Sequence, residues 1–180
     1  MADISAQLRQ FSRKSSERQE TISVQACIDY ALRLFQSRLR EGNITIIQDW
    51  PAETLWVKGD LVRLEQVLVN LIGNALQAMK GVLAPQLTLG AYIHQQQVII
   101  SVTDNGPGIP EEHLGHIFEP FFTTKAPGSG LGLGLSISSR IMDDLSGKLQ
   151  VTNQSEGGAR FTITLPHSPL AHTQENSSYA

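Results

Sequence analysis

The chain has 180 residues, 41% of them hydrophobic, which is one domain's worth with a real core and a short appendage. A net charge of -3, a pI near 5.9 and the lack of a basic stripe with interleaved aromatics argue against a nucleic-acid surface. The apolar runs are too short to span a bilayer and no signal peptide opens the chain, while the single Cys27 excludes an internal disulfide and fits a reducing cytoplasm.

Ile4, Leu8 and Phe11 recur at helical spacing, and a basic polar stretch from Ser12 to Arg18 follows. One stripe on so short a helix does not hold itself together. The segment reads either as the stub of an element that packs outside this chain or as a frayed tail. A firmer helix is predicted from about Ser23 to Arg40, with the stripe Val24, Cys27/Ile28, Ala31, Leu34/Phe35 and Leu39 and a glycine stop at Glu41-Gly42-Asn43. Cys27 lies inside that stripe and is expected as a buried structural thiol, not a nucleophile. Ile44 to Gln48 reads as a strand, Asp49-Trp50-Pro51 as a turn and Leu55 to Val57 as a short strand.

The next helix spans Asp60 to Lys80, with Asp60 as its N-cap. Leu61, Leu64, Leu68, Leu71/Ile72, Ala75 and Met79 form the core stripe at period 3.6. A second face carries Arg63, Gln66, Asn70, Asn74 and Gln77. Asparagine is a poor helix former, so two in mid-helix cost roughly a kcal/mol against alanine. Such a face is either a wet polar stripe or a ligand site. Amide oxygens are hard ligands suited to Mg²⁺, which takes few protein ligands and keeps phosphates and waters.

Leu87, Leu89, Ala91 and Ile93 alternate, and Gln95-Gln96 turns the chain into Val98 to Thr103, a β-hairpin. Asp104 to Ser136 then holds seven of the chain's 15 glycines. Glycine lets a backbone take positive φ and approach a ligand closely. The second cluster, Gly128 to Gly134, runs into a helix from about Leu131 to Leu145, and glycines opening a helix present backbone N–H groups suited to phosphate. The plainer alternative is two tight turns around a linker. A Rossmann fingerprint fits poorly, because Gly128-x-Gly130-x-Gly132 has the wrong spacing and no strand directly precedes it. Ile109 to Ser129, glycine-bounded and without a regular period, is expected as a lid whose order depends on ligand. Strands at Lys148 to Asn153 and Arg160 to Leu165 follow, joined by Glu156-Gly157-Gly158, and residues 167–180 are expected as a disordered tail. The element order implies an α+β fold, a two-layer α/β sandwich with a mixed, mostly antiparallel sheet of about five strands and three main helices on one face.

Four ordered motifs carry a family resemblance: Asn70-x-x-x-Asn74, Asp104-x-Gly106-x-Gly108, Phe118-Glu-Pro-Phe121-Phe122 and Gly128-Ser-Gly130-Leu-Gly132-Leu-Gly134. They resemble the N, G1, F and G2 boxes of the sensor histidine kinase ATP-binding domain, in the gyrase, Hsp90, kinase and mismatch-repair ATPase superfamily. The resemblance covers about Val24 to Pro166 and implies the Bergerat ATP-binding fold. The wording VRLEQVLVNLIGNALQAM and FEPFFTTK is most similar to the dicarboxylate-transport and nitrogen-regulation sensor kinases.

The resemblance implies ATP and Mg²⁺ as cofactors. It makes Asn74 the metal ligand and places Asn70 near the phosphates. Asp104 takes the adenine amino group, with Gly106, Gly108 and Ile109 lying against the base. Ser129, Gly130, Leu131, Gly132, Leu133 and Gly134 form the phosphate cradle. Phe118, Phe121 and Phe122 pack the lid, as core or as partner contact. Lys125 reaches the γ-phosphate or is a solvated lid charge. Many members carry Lys three residues after the metal Asn; here Gln77 stands there, so any phosphate contact loses its charge.

The superfamily's hydrolases place a general-base Glu where this chain has Asn70, which takes no proton at neutral pH, so phosphoryl transfer is favoured over hydrolysis. The family's acceptor His precedes an acid, and none of His94, His113, His116, His167 and His172 does. Residues 1–20 are then expected as the end of a dimerisation hairpin or a linker, and 21–166 as the catalytic domain. The implied partners are that phosphoacceptor hairpin and a response regulator acting through it. The implied parent is a homodimeric inner-membrane sensor with this domain on the cytoplasmic side. The alternatives are a serine kinase of the anti-sigma type and a nucleotide-binding regulatory module without catalysis.

Overall fold

The computed structural model describes residues 19–124 and 131–168. The stripe at Ile4, Leu8 and Phe11 and the tail beyond Ser168 lie outside them. Five strands form one sheet in the order β2-β4-β5-β7-β6: β2 (Thr45–Asp49), β4 (Gln86–His94), β5 (Gln97–Asp104), β6 (Lys148–Asn153) and β7 (Ala159–Pro166). Only β2 and β4 run parallel. The β4–β5 hairpin turns on Gln95 and Gln96, both at positive φ (47° and 60°), the arrangement that matches the twist of the flanking strands. Leu87, Leu89, Val98, Ile100, Val102, Phe161, Ile163 and Leu165 alternate into the core, and threonines and serines take the opposite face.

The core face carries three helices, α1 (Val24–Leu34), α3 (Leu61–Ala78) and α5 (Gly134–Asp144), with α3 in the centre between the other two. Asp60 caps α3, its Oδ1 accepting from the Arg63 N–H at 3.1 Å. Leu64, Leu68, Leu71 and Ile72 are fully buried. Each contributes about 1.5–3 kcal/mol, which outweighs the poor helix propensity of Asn70, Gly73 and Asn74.

The first helix departs from expectation. It breaks at Phe35 (φ −102°, ψ 9°) into α1 and a short α2 (Gln36–Glu41). The break turns the Phe35 ring onto Gly73 of α3, where a β-carbon would lie 3.3 Å from the ring, and leaves Leu34 57% exposed. The left-handed residue after α2 is Asn43 (φ 47°), not Gly42. Asparagine tolerates that region because its short polar side chain bonds locally.

A second sheet was not expected. β1 (Glu20–Ser23) pairs antiparallel with β3 (Trp56–Gly59), and Ser23 then caps α1 by accepting from the Ala26 N–H. His167 and Ser168, placed by sequence in the disordered tail, are bonded: the His167 N–H donates to the Gln96 carbonyl and the Ser168 N–H to the Trp56 carbonyl. Cys27 is buried on the inner face of α1, and burial first, then the Glu65 and Glu20 carboxylates, push its thiol up to about 12. Such a thiol is inert at neutral pH, as the sequence predicts.

Candidate functional site

Strand alternation decides where the site's carboxylate goes. On β5 the inward set Val98, Ile100 and Val102 is followed by Asp104, so an acid ends a core-facing row with 4% of its surface exposed. Burial raises its pKa above the ordinary carboxylate value, against the opposing pull of the Gly106 and Ala159 N–H groups. The Gly106 N–H donates to Oδ1 at 2.9 Å.

Three features hold the chain around this acid, and sequence reading assigned a role at the site to none of them. Asn153, at the end of β6, clasps Ile109: the Ile109 N–H donates to its Oδ1 at 2.9 Å and its Nδ2 donates to the Ile109 carbonyl at 2.6 Å. Asn105 does the same for the approach to β4, accepting from the Gln86 N–H and donating to the Ala84 carbonyl, each at 2.8 Å. The Gly157-Gly158 turn closes on Asp104 itself. A β-carbon on Gly158 (φ 95°) would lie 1.9 Å from the Asp104 carbonyl oxygen, so no other residue fits. The paired glycines marked a turn in the sequence; their distant contact left no local signal.

The opposite wall is the amide face of α3. Gln66, Asn70, Asn74 and Gln77 all line one cavity of about 760 Å³, within the range of small-molecule sites. Arg63, at the head of the same stripe, instead pairs with Asp144 at the end of α5. Asn70 Nδ2 donates to Ser138 Oγ at 2.9 Å, and its Oδ1 sits 2.5 Å from where a β-carbon on Gly134 would be. Gly134 opens α5, whose N-terminus has Leu133 as N-cap and no side-chain cap, leaving backbone donors for an anion.

Of the residues singled out in the sequence, Asn70, Asn74, Gln77, Asp104, Gly108 and Ile109 line this cavity. So do Leu131, Gly132, Leu133 and Gly134. Gly106 does not; it packs behind the wall, where a β-carbon would meet the Asp104 carboxylate at 2.8 Å and the Ala78 carbonyl at 3.0 Å. Lys125, Ser129 and Gly130 lie outside the described residues.

The segment after Ile109 is less irregular than expected, since Pro110 starts a single helical turn, α4 (Glu111–Leu114). Phe122 lines the cavity with its ring edge-on to His113 at 5.3 Å, and Phe118 packs on the core. Phe121 is 71% exposed at φ 68°. Its N–H donates to the Gly132 carbonyl at 2.9 Å, and Gly132 (φ 67°) has no room for a β-carbon beside the Phe122 carbonyl. This bond ties the far end of the described segment to the residues that lead into α5.

The cavity thus offers a buried acceptor at one end, amide groups along one wall and a helix N-terminus at the other end. Among the described residues no group of three His, Cys, Asp or Glu side chains could hold a metal. A cation here would rest on amide oxygens and on its ligand's own anionic groups, which suits Mg²⁺. A smaller cleft of about 350 Å³, lined by Arg38, Glu41 and Lys80 among others, has no buried polar group converging on it.

Residues 59–169 match the model of the histidine kinase-, DNA gyrase B-, and HSP90-like ATPase family. The chain is 41% identical over 166 residues to the C4-dicarboxylate transport sensor protein DctB of Pseudomonas aeruginosa, covering 92% of this chain and 27% of that protein. It spans about a quarter of the length of that relative. The catalytic domain of histidine kinase ThkA superposes with a TM-score of 0.75 at 33% identity, over 84% of this chain and 99% of that one. ThkA in complex with the response regulator protein TrrA gives 0.74 at 31% identity, over 92% and 46%.

Proposed function

Because the chain belongs to the histidine kinase-, DNA gyrase B-, and HSP90-like ATPase family, which makes it an ATP-binding domain, we propose that it is the catalytic domain of a two-component sensor kinase. It holds Mg-ATP and delivers the γ-phosphoryl group to a histidine on a separate helical hairpin. The observation that carries this reading is the shared cavity, with Asp104 buried at one end and the Asn70, Asn74 and α5 N-terminus group at the other.

Ionised Asp104 accepts the adenine amino hydrogen and offers nothing to a guanine carbonyl, which sets ATP above GTP. Gly108 and Ile109, held by Asn153, carry the backbone beside the base. Asn74 is the side chain that would hold Mg²⁺, with Asn70 beside it. The ion, when bound, supplies charge neutralisation across the phosphates. Leu133, Gly134 and the turn that follows present N–H groups to the anionic oxygens. Asn70 gives no base for water, so the domain positions the nucleotide for transfer instead of hydrolysing it. The residues that precede β1 are read, from their sequence, as the end of that hairpin or a linker to it. The ThkA pairing with TrrA supports a response regulator as the receiver of the phosphoryl group here too.

Incubating the chain with labelled Mg-ATP and a histidine-bearing hairpin in trans tests this. The hairpin should acquire acid-labile, alkali-stable phosphate, slowly, since no tether raises the local concentration. The isolated chain should acquire none. Phosphate on any of its own five histidines would overturn the assignment of the acceptor to another domain. Asn74→Ala should remove the Mg²⁺ dependence of binding, and metal-dependent binding that persists unchanged would place the ion elsewhere.

A further inference from the structure

Two polar side chains are buried among the described residues, Asp104 and Ser138. Asp104 has its place in the site. Ser138 sits in the interior of α5, 1% exposed, where alanine would be the better helix former. Its hydroxyl meets one group from outside its own helix, the Asn70 amide of α3, with Nδ2 donating to Oγ at 2.9 Å.

That bond fixes the plane of the Asn70 carboxamide. A carboxamide has a donor end and an acceptor end, and a serine hydroxyl can serve either. Tied to Ser138 on one side, the amide presents its other end beside Gly134, at the first turn of α5 and on the cavity. Without the tie, the amide is free to turn about its last side-chain torsion and no longer holds that edge on the cavity. Held with its oxygen there, it can accept from metal-bound water.

We propose that Ser138 is a positioning residue that holds the edge of the Asn70 amide toward the hydrated metal of the bound nucleotide, and so couples nucleotide affinity to Mg²⁺. The inference rests on the Mg-ATP reading of the cavity. Ser138 touches neither nucleotide nor metal and acts through Asn70.

Calorimetry of ATP binding with Mg²⁺ and with chelator, on the unmodified chain, Ser138→Ala, Asn70→Ala and the double variant, tests it. Ser138→Ala should reduce the affinity gained from Mg²⁺ by about five- to tenfold, the size of one lost hydrogen bond. Metal-free affinity and the preference for ATP over GTP should stay. The double variant should lose no more than Asn70→Ala alone, and Ser138→Thr should restore the gain. Equal losses with and without metal, or strictly additive losses, would overturn the positioning role. A second readout needs no nucleotide: the Asn70 side-chain amide ¹H–¹⁵N pair, assigned by its absence in Asn70→Ala, should move on Ser138→Ala in the apo protein. A pair unmoved there refutes the tie even if ATP never binds. Absence of ATP binding by the unmodified chain would refute the nucleotide reading separately.

Discussion

Replacing Gly134 by alanine separates the fold from the site. Gly134 is helical, so alanine there gains up to about 1 kcal/mol of helix propensity. The added β-carbon would lie 2.5 Å from Asn70 Oδ1, 3.2 Å from its Cγ and 3.3 Å from its Nδ2. Ordinary contact needs about 3.5 Å, so the amide must retreat by roughly 1 Å. That retreat breaks the Asn70–Ser138 bond, a net loss of about 1 kcal/mol. The two terms nearly cancel, and apo Tm should stay within about 4 °C of the parent, since 1 kcal/mol shifts a domain of this size by ~2–4 °C. The site has no such compensation, because a methyl group now stands between the amide and the α5 N-terminus. At a hundred times its Kd, Mg-ATP stabilises the unmodified chain by about 2.7 kcal/mol, and Gly134→Ala should lose most of that shift. Thermal denaturation with and without Mg-ATP reads both numbers. A full nucleotide shift, or an apo Tm lowered by more than about 10 °C, would refute the argument that the contact is side chain only.

Asp104→Asn should weaken ATP binding and blur the preference over GTP; equal thermal shifts for ATP and GTP in the unmodified chain would exclude base recognition by Asp104. The raised pKa of Asp104 gives two opposite pH trends. The folded state holds this proton more tightly than the unfolded chain, so stability contributed by the group falls as pH rises from the ordinary carboxylate value to the raised one. ATP affinity should rise over the same window as the acceptor ionises, and chemical denaturation and calorimetry in parallel should show the crossing. Asn153→Ala removes both bonds to Ile109 and should cost about 1–3 kcal/mol, with ATP affinity falling too; unchanged affinity would mean the clasp serves the fold alone. Hydrogen exchange over residues 109–124 should slow on adding Mg²⁺ and a non-hydrolysable ATP analogue, and identical exchange would refute a nucleotide-ordered lid.

Periodicity made much of this fold legible. The α3 core row, the β4–β5 hairpin and the inward row of β7 each depend on neighbours a few residues apart, and all lie where their patterns predict. The amide row of α3 was legible as an anomaly, because Asn70 and Asn74 oppose helix propensity without an evident return. What failed to show was long-range. The β1–β3 pair joins segments more than thirty residues apart, with strands too short for a period. The break at Phe35 comes from packing on Gly73, and a helical wheel drawn on α1 alone counts Leu34 as core. Asn153 and Ser138 are single polar residues whose partners, Ile109 and Asn70, lie far off in the chain.

The bond from the Phe121 N–H to the Gly132 carbonyl ties the far end of the 109–124 segment to the entry of α5. Phe122 and Gly132, side by side at this anchor, both line the cavity. A shift of the anchor is therefore passed to the first turn of α5, where Gly134 lies against the Asn70 amide. A side chain at Gly132, which has no room for a β-carbon, should disturb the 109–124 segment and the amide wall together.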